Sequence, residues 1–284
     1  MSRPVAALPA SDLGRAVDRS ARVSQVLDLG AGSWELTLEC PEIATRARPG
    51  EFLQVQVDPA PVPLLRRPFS VCRADPAAGT LGIYFGVTGI GTARLAGLTV
   101  GDEVRVLGPL GRGYSLPPGP ARALCVAGGL GAAPFPFLAR ALSAAGATVH
   151  WLNGAATAGR LYPVERLGAP VDVTVVTQDG SRGVRGVVTD VLPDLLTAAD
   201  RVYACGPNPM LAAVAALCAS APTPVALEVS LEAPMGCGFG TCLGCALPVG
   251  GPEALALCCR QGPVLAAEAV DWPALLALPP AHVA

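Results

Sequence analysis

The chain has 284 residues, 51% of them apolar and only 15% charged, with a formal net charge of −2. That length accommodates two domains with separate cores, and so apolar a composition excludes a disordered chain. Near-neutral charge without a basic run excludes nucleic acid as the main partner. All 20 basic residues are arginine, so bound phosphate must be held by guanidinium forks, hydroxyls and backbone amides.

Residues 1–19 read as a polar, loosely ordered lead-in, without the apolar segment of a secretory signal. Apolar runs elsewhere are broken by Pro, Gly or charge short of membrane length, so no membrane partner is expected and the chain reads as cytoplasmic. Short stretches rich in β-branched residues follow at 21–27, 34–39, 52–57, 68–73, 81–87 and 104–107. Turn signals such as Gly30-Ala31-Gly32, Pro49-Gly50, Asp75-Pro76 and Gly101-Asp102 separate them. The pattern predicts an antiparallel β-barrel over 20–118, interrupted by one helix at 91–98.

After a Pro-rich break at 116–120 the pattern changes. Strands at 123–127, 148–152, 171–177, 202–205 and 225–231 alternate with helical stretches at 134–145, 163–167, 184–196 and 209–218. Such alternation predicts a parallel-sheet α/β domain over 119–231. Residues 232–284 form a Cys-rich loop segment and a tail with a short helix at 272–278. The fold class is therefore β plus α/β with a C-terminal loop domain.

The strongest chemical signal is Cys237, Cys242 and Cys245, spaced C-x4-C-x2-C among glycines, with Cys258-Cys259 following. Three thiolates in one Gly-rich loop match the run that holds a plant-type 2Fe–2S cluster. Structural zinc also uses four cysteines, typically as two close pairs across a longer gap. Half of the ten cysteines crowd this one segment, which argues for metal-bound thiolates rather than a disulfide framework. Spacing alone leaves Cys258 and Cys259 both open as the fourth ligand.

Four weaker motifs precede it. Arg67-Pro68-Phe69-Ser70 opens a barrel strand and offers a guanidinium and a hydroxyl, although an Arg-Pro turn is common before any strand. Tyr84-Phe85-Gly86 leads into Gly89-Ile90-Gly91-Thr92, where glycine allows close backbone approach and a helix start attracts phosphate. Equally, Thr92 reads as a simple helix cap. Gly128-Gly129-Leu130-Gly131 joins the first strand and first helix of the α/β half, the place where dinucleotides bind. It is not a clean G-x-G-x-x-G, and no acidic residue stands about 20 positions on for a ribose. Cys205-Gly206-Pro207 is a second strand-to-helix turn, with Asn208 a candidate cap, and Cys205 reads as either a core thiol or a site residue.

Taken in order, these motifs resemble the ferredoxin-reductase superfamily, and more narrowly the electron-transfer subunit family of class 1B dihydroorotate dehydrogenase. The resemblance spans 20–270. Its flavin signature falls on Arg67, Pro68, Phe69 and Ser70, and its second flavin segment on Tyr84, Phe85, Gly86, Gly91 and Thr92. Its nucleotide turn matches Gly128, Gly129, Gly131 and Pro134, and its Cys-Gly-Pro turn matches Cys205 to Pro207. The Asp-Gly-Ser stretch matches Asp179 to Ser181, with Gly183, Gly186 and Val188-Thr189-Asp190. Ser230-Leu231-Glu232 and Met235-Gly236-Cys237-Gly238 match the approach to the cluster.

The resemblance implies FAD on the barrel, NAD on the α/β domain and a 2Fe–2S cluster on Cys237, Cys242, Cys245 and Cys259. Cys259 is chosen because Gly262-Pro263-Val264 follows it as in the family. It implies that Arg67, with backbone N–H groups at Gly91 and Thr92, holds the FAD pyrophosphate. Ser70 would lie at the flavin edge and Cys205 where nicotinamide meets flavin. The implied partner is an FMN-containing dihydroorotate dehydrogenase catalytic subunit, in a heterotetramer of two of each. Arg260-Gln261 and Pro234 depart from the family's acidic and basic residues there, and Arg182 and Arg185 leave NADP open. Two alternatives stand beside this reading: the flavin subunit of another NAD(P)H-linked complex, such as a hydrogenase or bifurcating transhydrogenase, and a redox sensor without flavin.

Overall fold

The structure is a computed structural model that describes residues 8–57, 64–250 and 254–278. Strands β1 (Val17–Gly30), β2 (Ser33–Glu39), β3 (Phe52–Gln56), β4 (Arg67–Asp75), β5 (Thr80–Gly86) and β6 (Glu103–Leu110) close into an antiparallel barrel in the order β1-β2-β5-β4-β3-β6. Two short helices, α1 (Pro41–Ala44) and α2 (Ile90–Ala96), lie between strands. Alternate residues point inward, so Val23, Leu36, Leu38, Leu53, Val55, Val71, Ile83 and Val106 fill the barrel with no exposure.

The second unit contains β7 (Arg122–Gly128), α3 (Phe135–Ala144), β8 (Thr148–Ala155), β9 (Asp172–Thr177), β10 (Val184–Arg185), α4 (Val188–Leu196), β11 (Arg201–Cys205), α5 (Asn208–Ser220) and β12 (Ala226–Ser230). The parallel sheet runs β10-β9-β8-β7-β11-β12. Its central strand explains the continuous apolar run in the sequence. Leu124 and Val126 pack toward α4 and α5, whereas Ala123, Cys125 and Ala127 pack toward α3 with Phe135 and Leu138. A strand covered on both faces has no solvent side to mark with polar residues.

The Cys-rich segment folds as a small hairpin of β13 (Ala246–Pro248) and β14 (Leu255–Leu257), then β15 (Val264–Ala266) and α6 (Trp272–Leu276). β15 adds to the sheet edge antiparallel to β12, so this segment is joined to the sheet of the second unit.

Four readings need correction. The lead-in is not loose from residue 8 onward: Asp12 caps a short 3-10 turn at Leu13–Arg15, and β1 begins at Val17. Arg15 binds the buried carboxylate of Glu51 at 2.6 Å, and the Ser11 amide donates to the Arg260 carbonyl at 2.7 Å. Helix α4 starts at Val188, because 184–185 pair with β9 and Asp190 caps the helix through the Val187 amide at 2.8 Å. The stretch 163–167 holds only a 3-10 turn, Val164–Arg166, and Asn208 lies inside α5 with Pro207 at the cap position.

Candidate functional site

The sheet order reverses between β7 and β11, and both strands end there in glycine-containing turns. In a parallel sheet, this switch point at the carboxyl edge is where ligands bind. The two turns are packed to backbone contact. A Cβ on Gly131 would stand 2.2 Å from the Cys205 carbonyl oxygen and 2.6 Å from the Gly206 nitrogen, so no larger residue fits. Gly129 has φ +58° and open space around its Cα. Cys205 is buried, and burial pushes its thiol well above the ordinary range, so it is a neutral contact group rather than a thiolate.

The barrel's second motif meets this edge directly. Leu130, in the first glycine turn, packs against Gly86 at the end of β5. Gly86, Val87 and Thr88 line a cavity of about 110 Å³ together with Ser33, Gly129, Leu130 and Arg160. A larger hollow of about 610 Å³ lies beside Arg122, Asp200 and Val225, at the amino ends of the strands, away from every glycine turn.

Arg67 reaches the start of α2: a Cβ on Gly91 would be 3.2 Å from its Nε, while its Nη1 donates to the Leu65 carbonyl at 2.7 Å. Thr92 Oγ1 accepts the amides of Thr88 and Gly89 at 2.9 and 3.2 Å, so its hydroxyl is committed to the turn. Residues 87–90 are exposed. A guanidinium beside an exposed, glycine-bearing backbone suits a pyrophosphate, so the residues present fit a dinucleotide. The aromatic members of the motifs are elsewhere engaged. Phe69 and Phe85 turn into the barrel with ring centroids 5.5 Å apart, and Tyr84 packs edge-on against Tyr162 at 5.0 Å. Pro68 is exposed and Ser70 half-buried on the outer face of β4.

Sequence reasoning missed what locks the two units together. Glu35 on β2, 1% exposed, accepts from Arg73 Nε at 2.9 Å, Arg166 Nη2 at 2.8 Å and the Tyr162 hydroxyl at 2.8 Å. Arg73 also donates to the Arg166 carbonyl and to Tyr162 Oη. Burial alone would raise the Glu35 pKa, but the hydrogen bonds and charges of Arg166, Arg73 and Tyr162 outweigh it and hold the carboxyl low. An isolated Glu inside an alternating strand gave no sign of partners over 100 residues away.

In the Cys-rich loop, Cys245 Sγ lies 3.3 Å from Cys259 Sγ, and the Cys259 amide donates to Cys245 Sγ at 3.5 Å. The Cys242 amide donates to Cys237 Sγ at 3.4 Å. The hydrogen bond from Cys259 lowers Cys245 to about 6. Burial opposes ionisation of Cys237, yet the amides of Cys242 and Phe239 bring it down to about 7. Cys258 points away: its thiol is fully buried and donates to the Leu231 carbonyl at 3.4 Å. Soft thiolate donors of this kind, fed by backbone amides, fit an iron–sulfur group. Among the described residues, no three His, Cys, Asp or Glu side chains converge as a site for one metal ion.

Comparison with known proteins agrees with this layout. Residues 232–271 match the iron-sulfur cluster binding domain of dihydroorotate dehydrogenase B. The dihydroorotate dehydrogenase B (NAD(+)) electron transfer subunit of Bacillus caldolyticus is 41% identical over 241 residues, covering 84% of this chain and 92% of that protein. Its counterpart from Geobacillus thermodenitrificans is 40% identical over 256 residues, covering 89% and 98%. Among solved structures, NADH-dependent reduced ferredoxin-NADP oxidoreductase superposes with TM-score 0.80 at 28% identity, over 90% of this chain and 91% of that one. A ferredoxin reductase of carbazole 1,9a-dioxygenase, at TM-score 0.60 and 23% identity over 73% and 67%, shares the fold. Identity near 40% over 84–89% of the chain means that the chain belongs to the family of dihydroorotate dehydrogenase B electron transfer subunits.

Proposed function

We propose that this chain carries electrons between a dihydroorotate-oxidising FMN subunit and NAD, using FAD on the barrel and a 2Fe–2S cluster on the Cys-rich loop. The observation that carries the reading is one of adjacency. The cluster loop touches β3 at Gly238, β3 pairs with the flavin-signature strand β4, and Gly86 on β5 touches the nucleotide turn at Leu130. Three proposed sites are thus joined in series, by strand pairing and by side chains seated against glycines. When bound, a flavin links two-electron exchange with a nicotinamide to one-electron exchange with an iron–sulfur cluster.

The chain's own residues bind and orient. Arg67 and the exposed backbone at 87–90 hold the FAD diphosphate, and Ser70 presents its hydroxyl from the outer face of β4. Gly129 admits the NAD pyrophosphate, Gly131 lets the β7 and β11 turns close on each other, and the neutral thiol of Cys205 sits at the junction of β11 and its turn. Cys237, Cys242, Cys245 and Cys259 hold the cluster; the thiol contact between Cys245 and Cys259 supports Cys259, and the bond from Cys258 to Leu231 occupies its rival. Phe239, Cys242 and Leu243 are exposed on the rim of this loop, which supports electron exchange there with a catalytic subunit, in a heterotetramer of two of each. No helix among the described residues is long and apolar enough to cross a membrane, and we place the complex in the cytoplasm. NAD is favoured over NADP by the relatives' names; Arg182 and Arg185 are exposed beside the nucleotide edge.

The likeness to NADH-dependent reduced ferredoxin-NADP oxidoreductase supports the same cofactor plan with a different partner. Co-purification from native lysate separates the two readings by which subunit is captured. With the FMN subunit present, NADH-dependent orotate reduction is expected, and Cys242→Ser is expected to abolish it while NADH reduction of a soluble dye persists. Orotate reduction that survives Cys242→Ser refutes the relay.

A further inference from the structure

Gln54 is the polar group that the proposed relay leaves without a role. It lies in the middle of β3 with 0% exposure, and neither Nε2 nor Oε1 has a hydrogen-bond partner. Its neighbours Leu53 and Val55 face the barrel interior. Gln54 therefore shares the outer face with Phe52, which packs in the cluster of side chains that includes Cys245, Cys258 and Cys259. Its cross-strand partners are apolar, Pro68 of the flavin signature on one side and Leu107 on the other.

The cluster loop closes over this amide. Gly238, next to Cys237, has φ +83°, and a Cβ there would come within 2.5 Å of Gln54 Cγ and 2.8 Å of Nε2. Both the left-handed backbone and the close approach require glycine, so the loop is shaped around the glutamine. A buried amide with neither end paired is strongly unfavourable, and a bridging water would need several polar partners that Pro68 and Leu107 do not offer. What the amide faces at this point is the loop that holds the cluster.

We infer that Gln54 is a positioning residue of the cluster site: its side-chain amide donates to a sulfur of the bound cluster from the side nearest the flavin strand. The inference rests on the cluster assignment made above. A hydrogen bond to a cluster sulfur favours the more negative, reduced form and so raises the reduction potential. Gln54 thereby sets how readily electrons leave the cluster toward the flavin.

The test uses the full chain with its cofactors, compared with Gln54→Met, which keeps the length of the side chain and removes both polar ends. Potentiometric titration followed by EPR of the reduced cluster reads the effect directly. The expected result is a fall of about tenfold in the equilibrium constant for cluster reduction, about 59 mV for a one-electron couple, with FAD content and flavin potential unchanged. Thermal unfolding of the same loaded proteins supplies a second readout. An orphaned amide replaced by Met would raise the midpoint, whereas loss of a bond to the cluster lowers it. An unchanged cluster potential with a raised midpoint overturns the inference. Absence of any iron–sulfur signal in the unsubstituted chain would instead overturn the cluster assignment beneath it.

Discussion

Replacing Glu35 by Gln isolates what the buried clamp contributes. The substitution keeps shape and leaves an oxygen that still accepts from Tyr162, but it removes the charge facing two guanidinium groups. Breaking a buried ion pair typically costs 3–5 kcal/mol, because the surviving charge stays buried without a partner. Arg73 and Arg166 retain 21% and 30% side-chain exposure, so water recovers part of that loss. The expected cost is about 2–3 kcal/mol at neutral pH, or a fall of roughly 5–10 °C in unfolding midpoint for a chain of this size. The pH dependence sharpens the test. Because the folded carboxyl is held below its ordinary value, the clamp is fully present above about pH 4.3 and is lost as pH falls through the folded pKa. Wild type and Glu35→Gln should therefore converge in acid. Denaturant unfolding across pH measures this, and Arg166→Ala combined with Glu35→Gln should show strong non-additivity. A cost under about 1 kcal/mol at pH 7, or one that persists unchanged in acid, refutes the charge-clamp account.

Two further substitutions probe the sites themselves. Cys259→Ser should abolish the visible absorbance of the cluster, whereas Cys258→Ser should retain it and lose only about 1 kcal/mol of stability; the reverse order would exchange the ligand assignment. Gly131→Ala forces the β7 and β11 turns apart, since its Cβ would run into the Cys205–Gly206 peptide. Overpacking of this kind costs about 1–3 kcal/mol, and NADH should bind at least roughly tenfold more weakly while FAD content is retained. Unchanged NADH affinity would remove this turn from the nucleotide site.

The two-unit plan was legible because each layer leaves its own period in the chain. Alternation such as Glu103-Val104-Arg105-Val106 marks a half-covered barrel strand, and the unbroken run Ala123–Ala127 marks a strand covered on both faces. Glycine turns were legible because their chemistry is local. Long-range pairings were not. Nothing near Glu35 announces Arg166, and nothing near Ser11 announces Arg260, since such contacts are chosen by tertiary packing alone. The start of α4 was misplaced for a related reason: Val184 and Arg185 suit helix or strand, and only the pairing with β9 decides between them. Gln54 was visible as a polar residue in a strand, but its burial depends on Gly238, far along the chain in the cysteine loop.

The tethering of the Cys-rich segment bears on how it works. It is held on three sides: β15 pairs with β12, the Arg112 amide donates to the Gly262 carbonyl at 2.6 Å, and the lead-in exchanges hydrogen bonds with Arg260 at 2.7 and 3.1 Å. A segment fixed to the sheet, the end of the barrel and the N-terminal strap cannot swing as a separate domain without breaking all three. The proposed transfer between its thiolates and the barrel would therefore cross a fixed gap, where Gly238 of the loop lies against Gln54 of β3. By contrast, 241–244 are exposed, so the outward face of the same loop is free to meet another chain. Fixed toward the barrel and exposed on its outer face is the arrangement that the proposed relay requires. The docked lead-in, which has no motif of its own, is one of the contacts that fix this segment in place.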